Sequence, residues 1–286
     1  MAMHPPAPQQ LSELVDAWAR TAQNVLDLAS TCSDADFALP TTCEGWSVKD
    51  HIAHVAGLEA SLDGHVDPDV DVPDYPWLRH KMGRFMEQAV EVRRSWSGAE
   101  VVAELQRVIP RRLETLRDPS LTDETPLTGP FGQRPARALV TNRTMDVWCH
   151  EQDLRDALGR PGDLDSPAAA VFLQAVLGAL PRQAVEAGLP VGTAVIVEST
   201  GPLQAREGVR IVPGTADDAP VAEPRFSGSA DEAHDSSHEQ VTTIRLSTEA
   251  LARAGAGRVS VDDLHYTVEG DEDVARRLLA ALAVTP

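Results

Sequence analysis

The sequence has few cysteines, with only Cys32, Cys43 and Cys149 among its 286 residues. Three thiols cannot build the disulfide framework of a small secreted domain, and none of them has the C-x-x-C spacing of a structural zinc site. The first ten residues, MAMHPPAPQQ, lack the basic segment and apolar run of a secretory signal. These absences predict a protein of the reducing cytoplasm.

Positive charge is scarce as well. Lys and Arg number 25 against 44 Asp and Glu, so the formal net charge is −19. Such a surface repels phosphate backbones and anionic lipids, which argues against nucleic-acid binding and against a polybasic membrane anchor. No apolar run reaches the roughly 18 residues expected of a membrane-spanning helix. We therefore expect neither nucleic acid nor a membrane as a partner.

The motifs of three common enzyme classes are also missing. The sequence contains no G-x-S-x-G nucleophile elbow. It has no P-loop, and no G-x-G-x-x-G segment follows a predicted strand. Nucleophilic catalysis by a Ser–His–Asp triad and binding of a nucleotide cofactor are therefore not expected.

What the sequence does contain is a change in the spacing of its apolar residues along the chain. Apolar residues recur at helical spacing from residue 11 onwards, and the capping-box-like pair Ser47 and Asp50 predicts a helix that runs to about Leu62. From about residue 188 the apolar runs become short and β-branched. We therefore predict an α+β fold, with a helical domain over 1–187 and a small α+β domain over 188–286.

The same signals predict the remaining elements. Helices are expected around 80–96 and 136–158, the second after a Pro/Gly loop. An apolar stripe at 101–113 is kinked or divided by Pro110, and a helix over 166–187 is kinked by Pro181. In the second domain we expect strands at 193–198, 209–212, 241–246 and 264–269, helices at 248–254 and 271–282, and a long loop or loose hairpin over 213–238.

A polar stripe follows the helix over 136–158. Residues four apart on a helix differ by about 40° in direction, so Asn142, Asp146, His150 and Asp153 lie along one side. Such a stripe is often only a solvated face. Trp148 and the neighbouring Cys149 favour a mostly buried helix instead, in which carboxylates and imidazoles need partners, and a metal is a common one.

A histidine on the helix after Ser47 could complete a metal site. His54 lies four residues after Asp50 and three after His51. A lone histidine in such a position is more often a packed or surface residue than a ligand. Together with Asp146 and His150, however, it would give two imidazoles and a carboxylate from two helices. That is the three-ligand set of catalytic zinc, which leaves a fourth position open.

Two segments together resemble a known family. The segment CEGWSVKDHIAH at 43–54 resembles the signature GW-[ST]-V-x-D-x-x-x-H, and RTMDVWCHEQDLR at 143–155 resembles the matching late-helix signature. Both are features of the mycothiol-dependent maleylpyruvate isomerase-like proteins of the DinB superfamily. The segments at 199–202 and 268–282 also resemble the C-terminal domain of that family.

The resemblance implies a DinB-like four-helix bundle with a divalent metal, usually zinc, followed by a small α+β domain. By position it implies that the metal ligands are His54, Asp146 and His150. The isomerase pattern has Glu where this chain has the shorter Asp, so the metal is expected closer to the helix axis or held through water. The resemblance also implies a catalytic basic residue in the second domain. The sequence leaves four candidates, each of which is more readily explained as an exposed, solvated side chain: Arg206, Arg210, Arg225 and Arg245.

The activity that the resemblance implies is isomerisation of a small electrophile, or S-transfer to it, with mycothiol as the thiol cosubstrate. A free thiol has a pKa of about 8.5, and coordination to a metal favours the thiolate. Addition to an activated double bond, rotation and release would give cis–trans isomerisation. The alternative interpretation is a non-catalytic DinB-like module that binds a metal or a small molecule.

Residues next to the expected ligands have simpler interpretations. Cys149 is expected in the core, and Trp46 is expected to pack the entry to its helix as a hydrophobic staple. Asp50 is expected to cap its own helix, with a hydrogen bond to His54 as the alternative. Asp153 could support His150 in the same way, whereas Glu151 is expected to face solvent.

Overall fold

The protein divides into two compact units. The structure is a computed structural model that describes residues 1–79, 81–130, 132–214, 219–225 and 240–285. Among these residues, one unit comprises Pro8–Asp163 and the other comprises Met1–Ala7 with Leu164–Thr285. The α+β fold class is confirmed, with helices in the first unit and a sheet in the second. Most of the loop expected over 213–238 lies outside the described residues.

The boundary between the units differs from the one expected between residues 187 and 188. Helices α7 (Pro167–Gly178) and α8 (Leu180–Glu186) belong to the unit that contains the sheet. They pack on its strands and bury side chains such as Phe172 and Leu180 completely. Apolar periodicity identifies a helix but not the surface that it covers, so the pattern groups these helices with those before them.

Four long helices form the centre of the first unit: α1 (Leu11–Ser30), α3 (Val48–Leu62), α5 (Gly98–Leu116) and α6 (Ala136–Ala157). Helix α1 packs against α5 and α6, and α3 packs against the same two helices. The short α2 (Asp34–Phe37) and the helix α4 (Lys81–Arg93) both contact α3. The predicted start of α3 is confirmed, because Ser47 and Asp50 form a capping box.

Two local features of this unit differ from the expectations. Of the two effects expected of Pro110, division of the apolar stripe is wrong, since α5 runs through the proline, which lies on the exposed side of the helix. The Pro/Gly loop before α6 instead contains a hairpin of β2 (Pro126–Gly129) and β3 (Gly132–Pro135). Gly129 and Gly132 are the last paired residues of the hairpin, and Gly132 has a positive φ of 97°, which glycine adopts without steric cost.

As far as the structure describes it, the second unit is built on a six-stranded sheet. The central hairpin of β4 (Thr193–Thr200) and β5 (Gln204–Val212) is antiparallel, and β4 pairs in parallel with β7 (Gln240–Leu246). At one end, β8 (Thr267–Glu269) joins β7, and at the other, β1 (Ala2–His4) and β6 (Val221–Pro224) both pair with β5. Helices α9 (Thr248–Gly255) and α10 (Glu272–Ala280) pack on this sheet.

The predicted strands of this unit are mostly confirmed. Strand β5 starts earlier than expected because its first seven residues, from Gln204 to Arg210, pair with β4. Strand β8 is shorter than expected, since a 3₁₀ turn at Val261–Asp263 precedes it. Within the described residues, no single helix is long and apolar enough to cross a bilayer. Helices α7 and α8 reach that length only together and are bent by 43° where they meet, close to the kink expected at Pro181.

Candidate metal centre

Helices α3 and α6 bring the three expected ligands together. His54 Nε2 lies 3.2 Å from Asp146 Oδ2, and His150 Nε2 lies 3.7 Å from Asp146 Oδ1. The two imidazole rings are 4.8 Å apart at their centroids. One ligand atom from each residue lies within 4.8 Å of the others. His54 and Asp146, which are 92 positions apart in sequence, therefore lie side by side, whereas helical spacing predicts only that Asp146 and His150 are neighbours.

The site lies inside the helical unit and is more exposed to solvent on the side of Asp146. His54 and His150 are 1% and 7% exposed, whereas the side chain of Asp146 is 32% exposed. The carboxylate is also held from within. Arg143 Nη1 donates to Asp146 Oδ2 at 2.8 Å, and Arg143 Nε donates to the fully buried Glu59 at 2.8 Å. Asp146 is thus fixed by a buried ion-pair chain before any ligand binds.

These contacts set the charges of the three ligands. Burial opposes ionisation of Asp146, but the charges of Arg143 and of the two imidazoles outweigh it and hold the pKa of this carboxyl well below its usual range. Burial lowers the pKa of His54, which favours the neutral ring that a metal needs. Burial has the same effect on His150, but Asp146 and Asp153 outweigh it and raise the pKa of His150.

The donor set fits a divalent first-row metal. Two imidazoles and an ionised carboxylate are the ligands of many catalytic zinc sites. The nitrogen of His54 that faces Asp146 is Nε2, whereas its buried Nδ1 has no hydrogen-bond partner among the described residues. A buried polar atom without a partner costs free energy, so Nδ1 needs a partner that the described residues do not supply.

A second group of possible ligands shares His150. It consists of His51, His150 and Asp153, all of them buried. The two Nδ1 atoms of His51 and His150 lie 2.9 Å apart, and Asp153 Oδ2 lies 3.3 Å from His150 Nδ1. These are hydrogen-bond distances, so His51 and Asp153 support His150 from the side away from Asp146. The spacing of Asp153 predicts its contact with His150, whereas the sequence pattern does not predict a role for His51.

Trp46 covers the cluster of imidazoles. The centroid of its ring lies 5.2, 4.9 and 5.5 Å from the ring centroids of His51, His54 and His150, respectively. Trp46 precedes the N-cap of α3 and His51 is the fourth residue of that helix, so the predicted staple exists but has an imidazole as its partner. The indole N–H donates to the buried Glu87 at 2.9 Å, which fixes the ring in this position.

The neighbouring Gly45 is required by close packing. It has a φ of +83°, and a Cβ atom there would lie 2.2 Å from the ring of Trp77. Trp77 donates to the same Glu87 carboxylate as Trp46 and stacks on Tyr75 at 4.4 Å. The segment before α3 is therefore held between the histidine cluster and a second aromatic pair.

The remaining expectations for this helix pair are resolved by position. Asp50 caps α3 and contacts Arg94, and the structure gives it no hydrogen bond to His54. Cys149 is buried, as expected. The expectation that Glu151 faces solvent is wrong, because its side chain is fully buried and accepts hydrogen bonds from three residues of the same unit, Thr21, Asn24 and Arg155.

The four candidate arginines lie in the second unit. Arg206 and Arg245 both form ion pairs with Glu198, and Arg245 also contacts Glu269. Arg210 lies in β5, and Arg225 follows β6. All four therefore lie in or directly after strands of the sheet, and a catalytic role for any of them stays a prediction.

Comparison with known proteins identifies the family. Residues 14–155 match the family described as the mycothiol maleylpyruvate isomerase N-terminal domain. The fold is similar to two crystal structures, the mycothiol-dependent maleylpyruvate isomerase (TM-score 0.55) and its histidine-to-alanine mutant (TM-score 0.57). Each shares 16% identity, with 91% of this chain and 93% of the other covered. No curated protein matches the sequence closely enough to count as a relative. Residues 14–155 therefore form a mycothiol maleylpyruvate isomerase N-terminal domain.

Proposed function

We propose that this protein is a metal-dependent enzyme that uses a low-molecular-weight thiol of the mycothiol type on a small electrophilic substrate. The observation that carries this proposal is the convergence of His54, Asp146 and His150 within 4.8 Å. Three protein ligands leave a fourth position for a water or a substrate in catalytic zinc sites, and zinc is the metal that we propose. The family of the first unit supports the thiol and the isomerase class of reaction.

The residues of this chain would prepare the site in three ways. Asp146, ionised by its charged neighbours, supplies negative charge, and His54, neutral because it is buried, offers a ring nitrogen. Trp46 packs on the imidazoles and limits access of water on its side. A bound divalent cation would favour the thiolate form of a coordinated thiol, whose free pKa is about 8.5.

The chemistry of a thiolate then defines two possible outcomes. Reversible addition to an activated carbon–carbon double bond, followed by rotation and release of the thiol, is cis–trans isomerisation, and the thiol is regenerated. Retention of the new carbon–sulfur bond is S-transfer, and the thiol is consumed. We propose isomerisation as the first assignment, because it is the reaction class of the family.

The proposal is tested by metal content and thiol-dependent turnover measured together. The protein, His54→Ala and His150→Ala are purified and analysed for bound metals, and each is then assayed with mycothiol and maleylpyruvate or a bimane. His65→Ala is the matched control, because His65 lies in the same unit with a 57% exposed side chain. We expect metal and turnover in the parent protein and the control, and loss of both in the two ligand variants.

Two results would contradict the proposal. Full metal occupancy in His150→Ala would show that the ligand assignment is wrong. Bound metal without thiol-dependent turnover of any electrophile would favour the alternative, a non-catalytic DinB-like binding module.

A further inference from the structure

The shortest contact around His150 lies on the side away from Asp146. His51 Nδ1 and His150 Nδ1 are 2.9 Å apart, and both rings are buried. Two ring nitrogens at this distance share one hydrogen atom, so one donates and the other accepts. If His150 donates as a neutral ring, its Nε2, on the Asp146 side, keeps a lone pair. If His150 accepts as a neutral ring, its proton is on Nε2 and blocks coordination there.

The far end of His51 fixes the direction of this hydrogen bond. His51 Nε2 lies 2.8 Å from Thr41 Oγ1, which in turn lies 2.9 Å from the carbonyl oxygen of Trp46 and 3.4 Å from that of Cys43. A carbonyl oxygen can only accept, so the one hydroxyl hydrogen of Thr41 is directed to the backbone. The hydroxyl oxygen then accepts from His51 Nε2, as it does from the N–H of Cys43 at 3.2 Å.

The positions of the remaining hydrogens in the hydrogen-bonded row Thr41–His51–His150 follow from this direction. His51 carries its hydrogen on Nε2, so its Nδ1 accepts, and His150 must donate from Nδ1. Asp153 Oδ2 lies 3.3 Å from the same His150 nitrogen, and an ionised carboxylate also only accepts. Both neighbours of His150 Nδ1 therefore favour the same tautomer, with His51 the nearer of the two.

We propose that His51 and Thr41 are positioning residues that keep the hydrogen of His150 on Nδ1 and thereby reserve Nε2 for a metal ion. This inference rests on the proposed function, because it assigns His150 as a ligand. His51 occupies a position that the family signature leaves variable, as the x before Ile52 in the segment KDHIAH. The hydrogen bonds between the side chains of Thr41, His51 and His150 thus link the turn before α3 to a proposed ligand on α6.

The test at His51 uses two amides that differ in where they place an acceptor. In His51→Asn the amide oxygen can take the place of Nδ1, whereas His51→Gln reaches the place of Nε2 and leaves His150 without this acceptor. We expect His51→Asn to bind zinc nearly as the parent protein does, and His51→Gln to bind it about 10- to 100-fold more weakly. A merely space-filling role predicts the reverse order, because Gln is the larger residue.

A second pair of variants tests the other end of the chain. Thr41→Ser keeps the hydroxyl group, and Thr41→Val keeps the shape but removes it. We expect the serine variant to retain zinc affinity and the valine variant to lose part of it. Equal affinity in both members of each pair would overturn the inference. Melting temperatures of all four variants identify any that do not fold, and the other pair then decides.

Nitrogen-15 NMR of the zinc-loaded parent protein reads the tautomer directly. We expect a protonated Nδ1 and a metal-bound, unprotonated Nε2 on His150. A proton on His51 Nδ1 instead of His150 Nδ1 would overturn the inference even if zinc binds at full affinity. Failure of the parent protein to bind zinc or any other divalent metal would instead contradict the proposed function, so the two failures are distinct.

Discussion

Glu151 shows what burial does to a single ionisable residue. Burial outweighs its hydrogen bonds to Thr21 and Arg155 and raises the pKa of this carboxyl to about 7. The native state therefore holds the proton more tightly than the unfolded chain does. The resulting stabilisation is complete below the unfolded pKa of about 4.3 and is lost as the pH rises towards 7.

This sign predicts a pH-dependent effect of Glu151→Gln, a neutral amide of the same shape. Relative to the parent protein, the variant is expected to gain free energy of unfolding between pH 5 and pH 8, on the order of 3 kcal/mol. Urea unfolding at both pH values measures the difference. Glu114→Gln, at an exposed position of α5, is the control and should show no such gain. A stability difference for Glu151→Gln that is independent of pH would contradict the account.

Part of the candidate site could be predicted from spacing, because Asp146 and His150 are one helical turn apart. His54 follows a capping box that fixes where its helix begins, but its place beside the other two is implied only by the resemblance to the family, since spacing does not show how two helices pack. The role of His51 could not be predicted in this way, since it depends on how two helices meet 99 residues apart. The expectation for Glu151 is wrong because a charged residue next to a polar stripe is usually solvated, and the sequence does not show that Thr21 and Asn24 of α1 contact its carboxylate.

At the scale of elements, α5 tolerates a proline in its interior. Pro110 removes one backbone N–H from the helix, and its ring crowds the carbonyl four residues earlier, yet the helix continues from Gly98 to Leu116. We expect Pro110→Ala to raise the free energy of unfolding by about 1–3 kcal/mol, because alanine restores the hydrogen bond.

An exposed proline in another helix provides the control for Pro110→Ala. Pro167 is the first residue of α7, where the missing N–H has no partner to lose and the fixed φ suits the helix. Pro167→Ala is therefore expected to leave stability unchanged or lower it slightly. Chemical denaturation of the two variants measures both effects, and a loss of stability in Pro110→Ala would show that the proline is accommodated by some other favourable contact.

At the scale of the whole molecule, the sequence does not reveal which distant segments pair with each other. Strand β1 joins β5 through a register of Ala2 with Arg206, two segments that share no local pattern. Helices α7 and α8 look like a continuation of the helical region and yet pack on the sheet. Fold class and most element positions follow from periodicity, whereas unit membership follows from tertiary contacts that periodicity does not encode.

The central claim is that His54, Asp146 and His150 hold one divalent cation. It is tested most directly by an anomalous difference map recorded at the zinc absorption edge from crystals of the zinc-loaded protein. The account predicts a peak about 2.0–2.2 Å from a nitrogen of each histidine and from an oxygen of Asp146. A peak on His51 and Asp153 instead, or no peak within the helical unit, would contradict it.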